Sequence, residues 1–150
     1  MSVLPERILL PTDGSEDAIR AAEAASDLAR RCEAELHVVH VWHDVRGFAH
    51  DFVKRELKRQ GQEILDAQVE RIRASGGEVA KAYLRRGRTS NEVIALCKEI
   101  DAGLLVVGSR GLATVRRILI GTPLDARGSI LRDCNHIWRV GATPQGHRGE

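Results

Sequence analysis

Leu104-Leu105-Val106-Val107-Gly108-Ser109-Arg110-Gly111, continued by Gly121-Thr122, is the stretch that decides the fold. Four aliphatic residues in a row are too few for a helix and suit a strand buried on both faces. The glycines that follow open a turn, and Gly121-Thr122 reads as a helix start with a hydroxyl beside it. Such a stretch suits a bound phosphate, because backbone N–H groups reach an anion where no Cβ intervenes and a helix N-terminus offers free donors.

Outward from that stretch the chain alternates. Arg7-Ile8-Leu9-Leu10-Pro11 is a first strand, and it delivers Thr12-Asp13-Gly14-Ser15. Ser15 is a good N-cap for a helix from Glu16 to about Arg31, whose Ala18, Ala22, Ala25 and Ala29 form a small-residue face for close packing on a sheet. Leu36 to Trp42 is a second strand, almost continuously apolar. A long helix is predicted over Asp51–Ser75, whose buried side is supplied by Val53, Leu57, Ile64, Ile72 and, slightly off that stripe, Leu65 and Val69. Gly76-Gly77 ends it, and Val79–Leu84 forms a third strand containing Tyr83. Thr89 and Glu92 have capping-box spacing for the next helix, with Gly103 as its C-cap before the fourth strand, Leu104–Val107. A last helix within Pro123–Asp133 and a fifth strand over Ile137–Val140 complete the expectation. Residues 1–140 are read as one domain and 141–150 as a disordered polar tail.

Strands alternating with helices specify an α/β fold, a parallel sheet covered by helices on both faces. Ligands bind such sheets beyond the carboxyl ends of the strands, where strand order reverses. If strands one and four are neighbours there, Thr12-Asp13-Gly14 and Gly108 to Gly111 share one crevice. Two segments far apart in sequence then make one site.

Composition narrows the alternatives. The chain has 150 residues, enough for one domain with a sizeable core, and 3% aromatic residues, too few for base-stacking platforms. With 23 basic and 21 acidic residues, the net charge of +2 supplies no global field for nucleic acid or a membrane surface. No apolar run approaches the ~20 residues that span a bilayer, and the first residues lack a signal-peptide pattern, so the cytoplasm is the expected compartment. Cys32, Cys97 and Cys134 lack paired spacing and read as reduced thiols. His37 and His40 fall on opposite faces of their strand, which separates them as metal ligands.

The chain resembles the universal stress proteins from Ile8 to about Ile130. The likeness lies in Leu10-Pro11-Thr12-Asp13-Gly14-Ser15, in Leu36 to Val41, and in the Gly-x2-Gly-x9-Gly-Thr spacing that starts at Gly108. The resemblance implies a Rossmann-like five-stranded sheet in the order 3-2-1-4-5, a homodimer joined through the last strand and, in one branch of the family, bound ATP. It would place Pro11, Thr12, Asp13 and Val41 at the adenine and ribose end. Gly108, Gly111, Gly121 and Thr122 would hold ribose and phosphates. From their chemistry alone, Arg110, Arg116 and Arg117 can neutralise phosphate charge at close range, and Asp13 can accept from ribose hydroxyls or help hold a hydrated Mg²⁺. One departure stands out. Pro123 follows Thr122, where the ATP-binding branch has a backbone N–H available to the phosphates, and proline deletes that donor. A hydrogen bond to a charged acceptor is worth roughly 1.5–3 kcal/mol, enough to turn a tight ATP site into one of lower affinity or one that tolerates AMP or ADP about as well.

Each residue also has a simpler reading. Asp13 can hydrogen-bond within its own turn, Gly108 and Gly111 can serve turn geometry, and Thr122 can serve only as a cap. The sequence contains no Walker lysine motif and shows no nucleophile–base pair, so a regulator or sensor is expected rather than an enzyme. The alternative from another class is an interaction protein of the same fold that has lost nucleotide binding. An adenylyl-transferring enzyme would need a Ser-Gly-Gly loop after strand one, and a phosphoacceptor domain would need paired acidic residues there. Neither pattern is present.

Overall fold

The computed structural model describes residues 4–43, 51–108 and 136–140. Its elements are β1 (Arg7–Pro11), α1 (Glu16–Cys32), β2 (Glu35–Trp42), α2 (Asp51–Ala74), β3 (Lys81–Arg86), α3 (Thr89–Ile100), β4 (Leu104–Gly108) and β5 (His136–Val140). The expected last helix, the tail and the glycine loop after Gly108 lie outside the described residues.

Strands run parallel in the order β3-β2-β1-β4, and the backbone of β5 lies along the outer side of β4. The reversal falls between β1 and β4, where Ile8 pairs with Leu104 and Leu9 with Leu105. Alternation along the strands splits the core into two layers. Ile8, Leu10, Leu36, Val38 and Val106 face α1 and α2, meeting Ala21, Ala22, Ala25, Leu65, Val69 and Ile72. Leu9, Val39, Val41, Leu105 and Val107 face α3, meeting Val93, Leu96 and Cys97. Each fully buried aliphatic side chain contributes about 1.5–3 kcal/mol, so both layers are needed to hold the sheet.

Helix α1 begins as its sequence dictates. The Ser15 hydroxyl accepts from the Ala18 N–H, and Glu16 and Asp17 place negative charge in the first turn. It ends on Glu33 in the left-handed conformation, at φ 54°.

Four local expectations are corrected. The buried stripe of α2 is Gly61, Leu65, Gln68, Val69 and Ile72, while Phe52 and Val53 are exposed. The cause is Gly61, where a side chain would stand 3.2 Å from the His40 ring and 3.3 Å from Leu84; the closest approach to the sheet sets the helix rotation. Strand β3 starts at Lys81, not Val79, because Gly77 N–H first bonds back to the Ile72 carbonyl and the chain needs more residues to reach the sheet edge. Thr89 is the first helical residue of α3, so the capping box does not form; Arg88 takes the N-cap position without a side-chain bond. Asp101, at φ 53°, is the C-cap of α3, and its N–H bonds to the Cys97 and Lys98 carbonyls. Gly103 serves another purpose: a Cβ there would lie 3.0 Å from Pro5.

Candidate functional site

The carboxyl ends of β1 and β4 lie side by side, bringing Pro11, Thr12 and Asp13 to the same edge of the sheet as Gly108. Val41, near the end of β2, belongs to the layer under α3 and is almost wholly buried. Arg110, Gly111, Gly121 and Thr122 lie outside the described residues, as do Arg116, Arg117 and Pro123. The described part is therefore the half formed by the β1–α1 turn and the end of β4.

Thr12 is held on every side. Its N–H donates to the Val39 carbonyl at 2.8 Å, and its hydroxyl donates to Gln68 Oε1 at 3.0 Å. The carbonyl of Thr12 accepts from His40 Nδ1 at 2.7 Å, which requires the proton on Nδ1 of that ring. Gly14 N–H donates to the Thr12 hydroxyl as well, at 3.4 Å, and Gly14 adopts φ 80°, a conformation glycine takes without strain. Thr12 is 2% exposed and points under α2, so its polar groups anchor the loop.

Asp13 is half-committed. Oδ1 accepts from the Ser15 N–H at 2.9 Å, forming the turn that precedes α1, while Oδ2 has no partner among the described residues. That oxygen can accept a further hydrogen bond. Gly108 has a steric explanation as well, since a Cβ there would lie 3.0 Å from the carbonyl carbon and oxygen of Asp17. A side chain at this position would push α1 off the end of β4.

Gln68 escaped the sequence reading. A polar residue at helical spacing between Leu65 and Ile72 is the signal that locates Gln68. Its Nε2 is the buried side-chain nitrogen that lacks a partner among the described residues. A cavity of about 450 Å³ adjoins it, lined by Gly14, Ile19, Ile64 and Arg71 among others. A second cavity, of about 550 Å³, lies at the far end of the sheet among Arg30, Glu35, Gly77 and Val79, away from the β1 and β4 loops.

A doubly wound α/β domain with two loops gathered at its switch point is the class that the fold and the edge define. The universal stress protein family's sequence pattern matches residues 5–126, and the chain belongs to that family. A universal stress protein of Bacillus subtilis, YxiE, is 29% identical over 129 residues, which cover 77% of this chain and 86% of the relative. Among solved structures, one from the universal stress protein family of Burkholderia pseudomallei superposes with a TM-score of 0.70 at 23% identity, covering 95% of this chain and all of that one. A universal stress protein in complex with cAMP gives a TM-score of 0.65 at 25% identity, covering 91% of this chain and 97% of that one.

Proposed function

We propose that the chain binds an adenine nucleotide at the carboxyl edge of its sheet, between β1 and β4, and acts as a stress regulator or sensor rather than as an enzyme with turnover. One observation carries the reading: β1 and β4 are neighbours in parallel register, so the Thr12-Asp13 turn and the start of the glycine-rich loop open at one place. Binding of cAMP by a structural neighbour supports the same ligand class. In this reading Asp13 Oδ2 accepts from a ribose hydroxyl, or holds a hydrated Mg²⁺ when the nucleotide carries one. Thr12 sets the height of the turn through its own internal bonds, and Pro11 and Val41 close the apolar wall behind it. Arg110, Gly111, Gly121 and Thr122 supply the phosphate end. Pro123 weakens that end by one donor, so ATP, ADP and AMP bind with similar strength. The protein works as a cytoplasmic homodimer.

Equilibrium dialysis of the full chain against labelled ATP and AMP, with and without Mg²⁺, tests the proposal. Saturable binding below millimolar nucleotide is the expected result, accompanied by a ligand-dependent rise in Tm that a bulky residue at Gly121 abolishes. No binding at millimolar nucleotide overturns it. The second reading, an interaction protein that keeps the fold without the ligand, draws on two observations. Thr12 is saturated by internal bonds, and Gly108 is already required by the packing of α1.

A further inference from the structure

Away from the carboxyl edge, β2 and β3 bring three functional groups into line on the α3 side of the sheet. Glu35 Oε2 lies 3.1 Å from His37 Nε2, and His37 Nδ1 lies 3.0 Å from the Tyr83 hydroxyl. A carboxylate only accepts, so Nε2 carries the proton of the neutral ring and Nδ1 presents its lone pair to the phenol. This is the geometry of a hydroxyl nucleophile, a base within reach of it, and a third group that fixes the base. His37 is 7% exposed, while Tyr83 is half-buried with its ring against the layer under α3. Arg7 of β1 reaches the same Glu35 oxygen at 3.6 Å, which steadies the carboxylate.

We propose that Glu35, His37 and Tyr83 form a relay in which the Tyr83 hydroxyl takes an acyl group from a small acyl phosphate. The donor class follows from the surroundings. Lys81 Nζ stands 5.0 Å and Arg85 Cζ 5.9 Å from the centre of the Tyr83 ring, so two cations flank the phenol. Arg85 also pairs with Glu99 of α3. An acyl phosphate offers a carbonyl carbon to the phenol and a dianionic leaving group to those cations. In the step, the bond from Tyr83 Oη to the acyl carbon forms as the bond from that carbon to the phosphate oxygen breaks. The phenol proton passes to His37 Nδ1 and then to the departing phosphate, leaving an aryl ester and inorganic phosphate. Burial, opposed by Arg85 and reinforced by Glu99 and Glu35, holds the phenol above its ordinary pKa of 10.0, so proton removal near neutrality falls to His37.

The relay is separate from the proposed nucleotide site. His37 lies four residues before Val41 on β2, roughly 13 Å at ~3.3 Å per residue, and shares no hydrogen-bonding group with the Thr12-Asp13 turn, so failure of either reading leaves the other standing.

Tyr83 is the sole tyrosine of the chain, which makes the test clean. The full chain is incubated with acetyl phosphate near neutral pH, and Tyr83 acetylation is followed by intact mass and peptide mapping. Hydroxylamine separates the aryl ester, which it cleaves, from lysine amides, which it leaves. Tyr83 is expected to acetylate faster than N-acetyltyrosinamide, and Y83F to form no labile adduct. General-base catalysis contributes about 10²–10⁴-fold, so H37Q slows the reaction at least about a hundredfold. The pH–rate profile of H37Q is expected to differ in shape from that of wild type, which a merely structural role for the ring would not produce. E35Q alters a carboxylate that is 58% exposed, so it tests the orienting contact in a folded protein; it is expected to slow acetylation by about tenfold. A wild-type rate no greater than that of the free tyrosine derivative, an E35Q rate equal to wild type, or phosphate in place of acetyl on Tyr83 overturns the proposal.

Discussion

Two histidines on one strand, His37 and His40, are almost equally buried, at 7% and 8% exposure, and they do opposite things. His40 faces α2 and spends Nδ1–H on a backbone carbonyl, that of Thr12; its ring is part of the scaffold that fixes the β1–α1 turn. His37 faces the α3 side and meets only side chains, a carboxylate on Nε2 and a phenol on Nδ1. The protons therefore sit on different ring nitrogens. Burial does not separate a structural histidine from a reactive one. The chemistry of the partners does, since a carbonyl can only hold the ring while a phenol can give it a proton.

The sharpest way to break the His40 side is at Gly61. Leu at this position drives a branched side chain into the His40 ring, Leu84 and Trp42, which lie 3.2–3.4 Å from where its Cβ would stand. Overpacking at a helix–sheet contact costs about 3 kcal/mol at its upper end, and a urea midpoint that falls with unchanged slope is the expected result for Gly61→Leu. The relay on the other face should then keep its Tyr83 titration. A shift in both would mean that the two faces are not independent.

Next in size is the pair beneath the loop. Thr12→Val leaves Gln68 Oε1 buried without its donor and is expected to cost about 1–2 kcal/mol, close to the price of one orphaned acceptor. The double variant Thr12→Val/Gln68→Leu removes both partners together with the unpartnered Nε2, so its cost should be smaller than the sum of the two single changes. Denaturant melts of all four proteins measure that coupling. Strict additivity would show that the hydroxyl does not anchor the loop.

The same two faces mark what was legible in the sequence. Alternation along Leu36 to Trp42 placed His37 and His40 on opposite sides, and the Ser15 cap fixed the start of α1, because both are set within a few residues. The adjacency of β1 and β4 could be reached as a condition from the pattern of elements, and the sheet fulfils it. What could not be read was anything decided by a partner distant in sequence. The rotation of α2 depends on where Gly61 meets His40, and the role of Thr12 depends on Gln68, 56 residues away. Likewise no nucleophile–base pair showed in the sequence, because Tyr83 reaches His37 only across the β2–β3 register, 46 residues on. Edge strand β3 was misplaced by two residues because, among the described residues, one of its sides lacks a neighbour to enforce a pattern.

The smallest expected effect lies on the His37 side and depends on pH. Burial raises the pKa of Tyr83 above 10.0, with Glu99 and Glu35 adding to it and Arg85 opposing. Once pH exceeds that of the free phenol, the unfolded chain releases the tyrosine proton while the folded chain keeps it. The unfolded state then binds fewer protons, and stability falls as pH rises. The loss begins near pH 10 and is complete above the folded value; below pH 10 both states hold the proton and the term vanishes. Tyr83→Phe lacks this term, so the gap between its urea midpoint and that of wild type should narrow or reverse as pH passes 10. Near-ultraviolet absorbance should place the phenol's midpoint above that of free tyrosine. A midpoint below it would show that the cations, not burial, govern the phenol, and would give Tyr83 a resting phenolate that needs less from His37.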